Sequence, residues 1–271
     1  MEKNRFGLWA LFSFYFLFIP VILIIIFLFS NTLEQSLTLY PNNPTFVSIL
    51  GSNYLHIGLF HLLGNLIFYF MIMPFIFVFD YKANKKMIRI NMILLFLILP
   101  IIASIINIVV FRNINSNSKH MGFSAITSGV FGYLAFSLVN YIVVYHNIKF
   151  KRKILTILFP IILLNLLWIC LTYSYLLPLI LILLIFSVAF FYVYKDYLQI
   201  FSLIKKLERK ERTLIFTSLF LCLCLGFQFM FPENIRTESA TINILTHYIG
   251  YIFGFIIPAL VSIYLFKDGK K

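Results

Sequence analysis

The sequence predicts an all-α, polytopic membrane protein. Composition gives the first indication: of 271 residues 62% are apolar and 11% charged, and mean hydropathy is +0.97. A soluble domain of this length carries about a quarter charged residues. The second is the length of the apolar runs. Leu, Ile and Phe continue repeatedly for the roughly 20 residues that a helix needs to cross the bilayer core. The third is their continuity. A barrel strand alternates apolar with polar, and these runs do not alternate, so helices are expected rather than a barrel.

Eight spans are expected, at 7–29, 55–79, 88–111, 123–145, 154–171, 174–194, 213–231 and 240–266. The first follows MEKNRFGLW and is too long for a signal-peptide core, so it is read as an uncleaved membrane helix. The fifth and sixth are separated only by Thr172–Ser174, which suggests a tight hairpin or a re-entrant element. Residues 31–54, rich in Asn, Pro, Ser and Thr, read as an outer loop on the membrane surface. Residues 195–213, KDYLQIFSLIKKLERKERT, read as a basic amphipathic helix in the inner interface. No internal domain boundary is visible, and residues 1–271 read as a single membrane domain.

Charge fixes the expected orientation. With the N-terminus inside, 19 of the 22 Lys and Arg fall in inner segments and three, Arg112, Lys119 and Arg236, fall outside. Basic residues accumulate on the cytoplasmic side, so both termini are expected in the cytoplasm of a cell-membrane protein. The net charge of +13 is thus topological and suits anionic lipid headgroups; no nucleic-acid partner is expected. Cys170, Cys222 and Cys224 form no metal or disulfide pattern and read as buried apolar thiols. No metal or cofactor is expected.

Polar side chains inside the spans carry the functional argument, because they are costly in lipid and usually face the bundle interior. His56, His61 and Asn65 follow H-x4-H-x3-N in the second span. The last two, four apart, share a helix face. Ser124 opens the fourth span just after Gly122, and Ser124, Ser128 and Gly132 form a small-residue stripe that allows close helix approach. In the eighth span His247 is followed on one face by Gly250 and Gly254. In the expected orientation all three groups lie in the outer third of the bilayer. A neutral His247 could take the Ser124 proton and make a nucleophile. The Ser124 backbone N–H, with His61 and Asn65, could support an oxyanion. No Asp or Glu is placed as a third member, so the expectation is a Ser–His dyad that fails at low pH.

These pieces together resemble the rhomboid family of intramembrane serine proteases, in order, spacing and orientation. The resemblance implies a rhomboid-like helical bundle, a six-helix core plus two helices inserted between the Ser and His helices. It implies Ser124 as nucleophile, His247 as general base, oxyanion support from His61 and Asn65, and a structural polar role for His56. It also implies transmembrane helices of other proteins as substrates. There are departures. Ala125 replaces the family's Gly after the serine, and should be tolerated if its φ is negative. Ser128 stands where some members carry a Tyr packed on the catalytic His. Met73-Pro74, and later Asp80, replace a Gly and Glu after the second span.

Two other readings compete. An inactive rhomboid-like protein would bind membrane clients without cutting them. A transporter or channel would spread polar residues through the membrane depth; only Asn107, Asn140 and Asn165 stray from the outer cluster. His120 and His146 read as packed residues at loop ends.

Overall fold

The computed structural model describes residues 10, 12–56, 58–112, 119–148, 154–231 and 243–265. The N-terminal Lys3 and Arg5, the basic group at 149–153, Arg236 and the C-terminal lysines lie outside the described residues. Among the described residues the chain is helical apart from one isolated antiparallel bridge, Leu39 with His120. Ten helices follow in order: α1 Phe14–Leu28, α2 Ser30–Leu37, α3 Phe46–Gly51, α4 Leu59–Ala83, α5 Lys85–Phe111, α6 Ser124–Tyr145, α7 Ile154–Thr172, α8 Leu176–Lys206, α9 Arg209–Met230 and α10 Ile244–Leu265.

Six of these, α4, α5, α6, α8, α9 and α10, are long and apolar enough to cross a membrane. A seventh arises if α1 and α2, bent by 97° about Phe29, count as one span. These six or seven are counted among the described residues, against the eight expected from sequence; α7 is a further apolar helix of 19 residues, about 28 Å long at 1.5 Å per residue. The chain is a multi-pass helical membrane protein.

Two expected segments take a different form. Residues 31–54, expected as an outer loop, are structured. They hold α2, α3, a capping box on Thr45 and Ser48, and a 3-10 turn at Ser52–Tyr54. Residues 195–213 are not a separate surface helix: α8 runs unbroken through Lys206, and α9 begins at Arg209. A helix of 31 residues spans about 46 Å, well beyond a hydrocarbon core of about 30 Å, so its basic end projects past the core. Cys170 and Cys222 are buried as expected, but Cys224 is exposed, because two residues along a helix turn a side chain to another face.

The core forms around α6, which is buried over nearly its whole length. Its principal partner is α10. A Cβ on Gly250 would overlap the Ala125 carbonyl, one on Gly254 the Gly129 carbonyl, and one on Gly132 the Tyr251 carbonyl. The pairing of 125 with 250 and 129 with 254 makes the two helices parallel and in contact at the backbone. Small residues at a helix interface permit this approach where larger ones would hold the axes apart. Ser128 and Gly132 lie in the seam as the sequence suggested. Gly129 is a further member that the four-residue stripe did not include.

Proline supplies the second organising feature. A helical proline has no N–H to give, so a carbonyl of the preceding turn is freed. Both α1 and α5 show a π-turn before their proline, at Phe14–Phe18 and Leu94–Ile98. Side chains take up nearby carbonyls: Tyr69 Oη donates to Tyr15 O at 2.5 Å, and Tyr54 Oη donates to Phe96 O. Asn53 Nδ2 donates to Pro100 O at 3.2 Å and Ser104 Oγ at 2.9 Å, while Ser104 Oγ donates to Ile49 O at 2.6 Å. The segment entering α4 is thereby stapled to α5, which fixes where His56 and His61 begin.

Candidate active site

The chain enters α6 through an elbow. Gly122 has φ +119°, a backbone that side-chain-bearing residues rarely adopt, and a Cβ there would stand 2.7 Å from His61 Cε1. Glycine is thus required twice, by conformation and by contact. The Gly122 N–H donates to Ser52 O at 2.9 Å, and the Phe123 N–H to His56 Nε2 at 3.2 Å. Thr127 N–H closes the first turn onto Phe123 O. The N–H groups of Ser124, Ala125 and Ile126 bear no hydrogen bond among the described residues, and this is the electropositive end of α6. Ala125 lies within the helix and is not among the positive-φ residues, so the condition for tolerating it is met.

His56 sits at the hub of a buried network. Its Nε2 accepts from Phe123 N–H and faces Asn65 Nδ2 at 3.3 Å, an arrangement that requires a neutral ring. Burial, reinforced by the nearby His61 charge and opposed by the Tyr54 carbonyl, holds the His56 pKa down to about 3. Asn65 is fully buried and fully engaged. Its Nδ2 donates to His61 O at 2.9 Å and to His56, and its Oδ1 accepts from Thr127 Oγ1 at 3.1 Å. Sequence reasoning expected Asn65 as oxyanion support; in this structure its amide braces the α4–α6 contact. Thr127, which the sequence reading passed over, completes the brace.

His61 differs from Asn65. The residue is exposed, and its ring faces Gly122 and lies 5.0 Å from the His56 ring in an edge-on arrangement.

His247 lies one helical turn before Gly250, so the α6–α10 seam carries it to the same end of the bundle as Ser124. It is buried, at 6% exposure, whereas Ser124 is half-buried. No hydrogen bond joins Ser124 Oγ to His247 in this structure. The His247 ring is instead oriented from α9: Nδ1 lies 2.7 Å from Met230 O and must donate to it. That assigns the tautomer and leaves Nε2 with its lone pair free. Phe229 lies parallel to the imidazole, 5° between planes and 6.4 Å between centroids. Phe229 in turn packs on Phe68 and Phe131, at 4.1 and 6.1 Å. No sequence signal marked Phe229 or Met230. An aromatic in an apolar run is unremarkable, and a backbone carbonyl has no residue type.

A second buried polar group lies toward the other end of α6. Tyr133 Oη donates to Asp80 Oδ2, and both are fully buried. This pair belongs to the core and is remote from Ser124, about two and a half turns along the helix.

The rhomboid domain family model matches residues 43–177. This stretch includes His56, His61, Asn65 and Ser124; His247 lies beyond it. No curated relative and no solved structure matches the chain. The chain belongs to the rhomboid family.

Proposed function

We propose that the protein is an intramembrane serine endopeptidase that cuts transmembrane helices of other proteins with a Ser124–His247 dyad. The observation that carries this reading is the tether from His247 Nδ1 to Met230 O, at the end of the glycine seam that also presents Ser124. It gives the base the one tautomer that general-base catalysis needs.

Ser124 Oγ attacks the scissile carbonyl as His247 Nε2 takes its proton. The oxyanion forms against the free N–H groups that open α6, with the His61 ring beside Gly122 as the side-chain donor. The tetrahedral intermediate collapses when His247 returns its proton to the leaving amine. Water then repeats the sequence on the acyl-enzyme. Catalytic hydrogen bonds are often long before substrate binds, so dyad closure is assigned to the substrate-bound state. The membrane supplies both partners: the substrate helix, and anionic headgroups for the basic segments. The protein sits in the cell membrane with both termini cytoplasmic.

The alternative is a rhomboid that binds clients without cutting them. An oriented imidazole beside a free helix N-terminus favours catalysis. The test uses a serine-reactive fluorophosphonate and a single-span helical substrate in liposomes. Wild type is expected to label and cut, and Ser124→Ala and His247→Ala to fall to background. His61→Ala is expected to lose roughly 10²–10³ in kcat, the usual effect of removing one oxyanion donor. Labelling that persists in Ser124→Ala would remove the assigned nucleophile. A wild type that neither labels nor cuts would favour the client-binding reading.

A further inference from the structure

A set of hydrogen bonds outside the dyad converges on the start of α10. Asn243 caps this helix, its Oδ1 accepting from Thr246 N–H at 3.1 Å. Its Nδ2 donates to Asn107 Oδ1 at 2.8 Å and faces His120 Nδ1 at 3.1 Å. Thr246 Oγ1 donates to the same Asn107 oxygen at 3.0 Å. One carboxamide oxygen on α5 thus holds both the cap of α10 and the residue preceding His247. Asn107 is buried, at 4% exposure, as is Thr246 at 8%.

The other arm of the set reaches the nucleophile. His120 lies two residues before Gly122. Its backbone is paired with Leu39 in both directions, and its ring packs 4.7 Å from Phe111 at the end of α5. The face of α5 that bears Asn107 also bears Ser104, which anchors the segment leading to His56. One side of α5 therefore holds the segment before the elbow, the α4 entry and the α10 cap.

We infer that Asn107 is a positioning residue that fixes the His247 turn of α10 against the Ser124 elbow through Asn243, Thr246 and His120. The inference deepens the protease reading and rests on it for its kinetic consequence. Its structural content is separate, because the seam glycines fix the helices laterally while the clasp fixes the first turn. A helix begins with unsatisfied N–H groups, and without a cap that turn opens. Misplacing a catalytic base by about 1 Å costs on the order of 10²-fold in rate.

The experiment compares Asn107→Leu, Asn107→Asp and wild type in nanodiscs. Leu has similar volume and keeps the packing but removes the acceptor; Asp keeps the acceptor. Two readouts are taken: fluorophosphonate labelling with kcat and KM for a helical substrate, and amide hydrogen exchange. Asn107→Leu is expected to lower kcat and the labelling rate tenfold or more with KM little changed. It is expected to speed exchange at 244–247 but not at 250–260, and Asn107→Asp to restore both. Wild-type exchange at 244–247 in Asn107→Leu overturns the clasp, whether or not the protein is a protease. Faster exchange with unchanged labelling and kcat overturns the positioning role. A wild type that neither labels nor cuts, with exchange still faster in Asn107→Leu, overturns the protease reading and supports the clasp.

Discussion

At the scale of single residues the site is a set of polar groups whose protonation is fixed by their partners. His56 must stay neutral to accept from Phe123 N–H, and burial holds its pKa down to about 3. An unfolded imidazole takes up its proton near 6.5. Below that pH the unfolded state binds a proton that the folded state refuses, so the contribution of His56 is intact above about 6.5. It is lost progressively as pH falls toward 3. His120, also lowered by burial, acts in the same direction. The melting temperature in detergent is expected to be flat from pH 8 to 7 and to drop between pH 6 and 4. His56→Gln, which keeps an acceptor without a titrating group, is expected to flatten part of that drop. An identical slope in His56→Gln would show that the drop arises elsewhere. Residue identity was enough to nominate Ser124, His247 and His61, because polar side chains stand out in apolar runs. It did not foresee that the Asn65 amide meets His56 and the His61 carbonyl. Occupancy of a donor is a property of neighbours, not of residue type.

At the scale of helices the decisive contact is between α6 and α10. Their backbones touch at Gly129 and Gly254, where an added methyl meets a carbonyl, not a movable side chain. Gly254→Ala must push the axes apart, and overpacking of this kind costs about 1–3 kcal/mol. The expected result is a lower melting temperature and a larger loss of labelling at Ser124, since both residues of the proposed dyad ride on this pair. Gly64→Ala, where no atom lies within 4 Å of the added carbon, is the control and is expected to change neither. Equal effects in the two variants would mean that close approach is not the cause. The sequence located this seam only in part. Gly250, Gly254, Ser128 and Gly132 were legible as stripes, but Gly129 was not, because the contact face of α6 is broader than one four-residue row. Helix boundaries shifted for a similar reason: charge at Lys195 suggested the end of a span, yet helical hydrogen bonding does not stop where hydrophobicity does, and α8 continues to Lys206.

At the scale of the whole molecule, the chain is a bundle wrapped around α6, with α7 and α8 inserted between the helices that carry Ser124 and His247. The inserted pair pack mainly on each other, and α8 is exposed along most of its length. The lopsided distribution of Lys and Arg predicts the orientation in the membrane. A cysteine at Lys119 should react with an impermeant maleimide added to intact cells, whereas one at Lys205 should react only after permeabilisation. The reverse pattern would invert the bundle and place Ser124 at the cytoplasmic face.

The sequence by itself determined the helical membrane class, the loop charge asymmetry and the resemblance carried by His56, His61, Asn65, Ser124 and His247. These follow from local quantities: hydropathy over a window, charge in a loop, spacing along one helix. Only the tertiary structure decided that Met230 O orients His247, that Phe229 stacks on its ring, that Asn65 bonds the His61 carbonyl and Thr127, and that Asn107 bonds both Asn243 and Thr246. Each of these depends on which face of one helix meets which face of another, often through a backbone atom. Periodicity tells a helix which side to bury; the partner that meets it is set by packing across more than a hundred residues of chain.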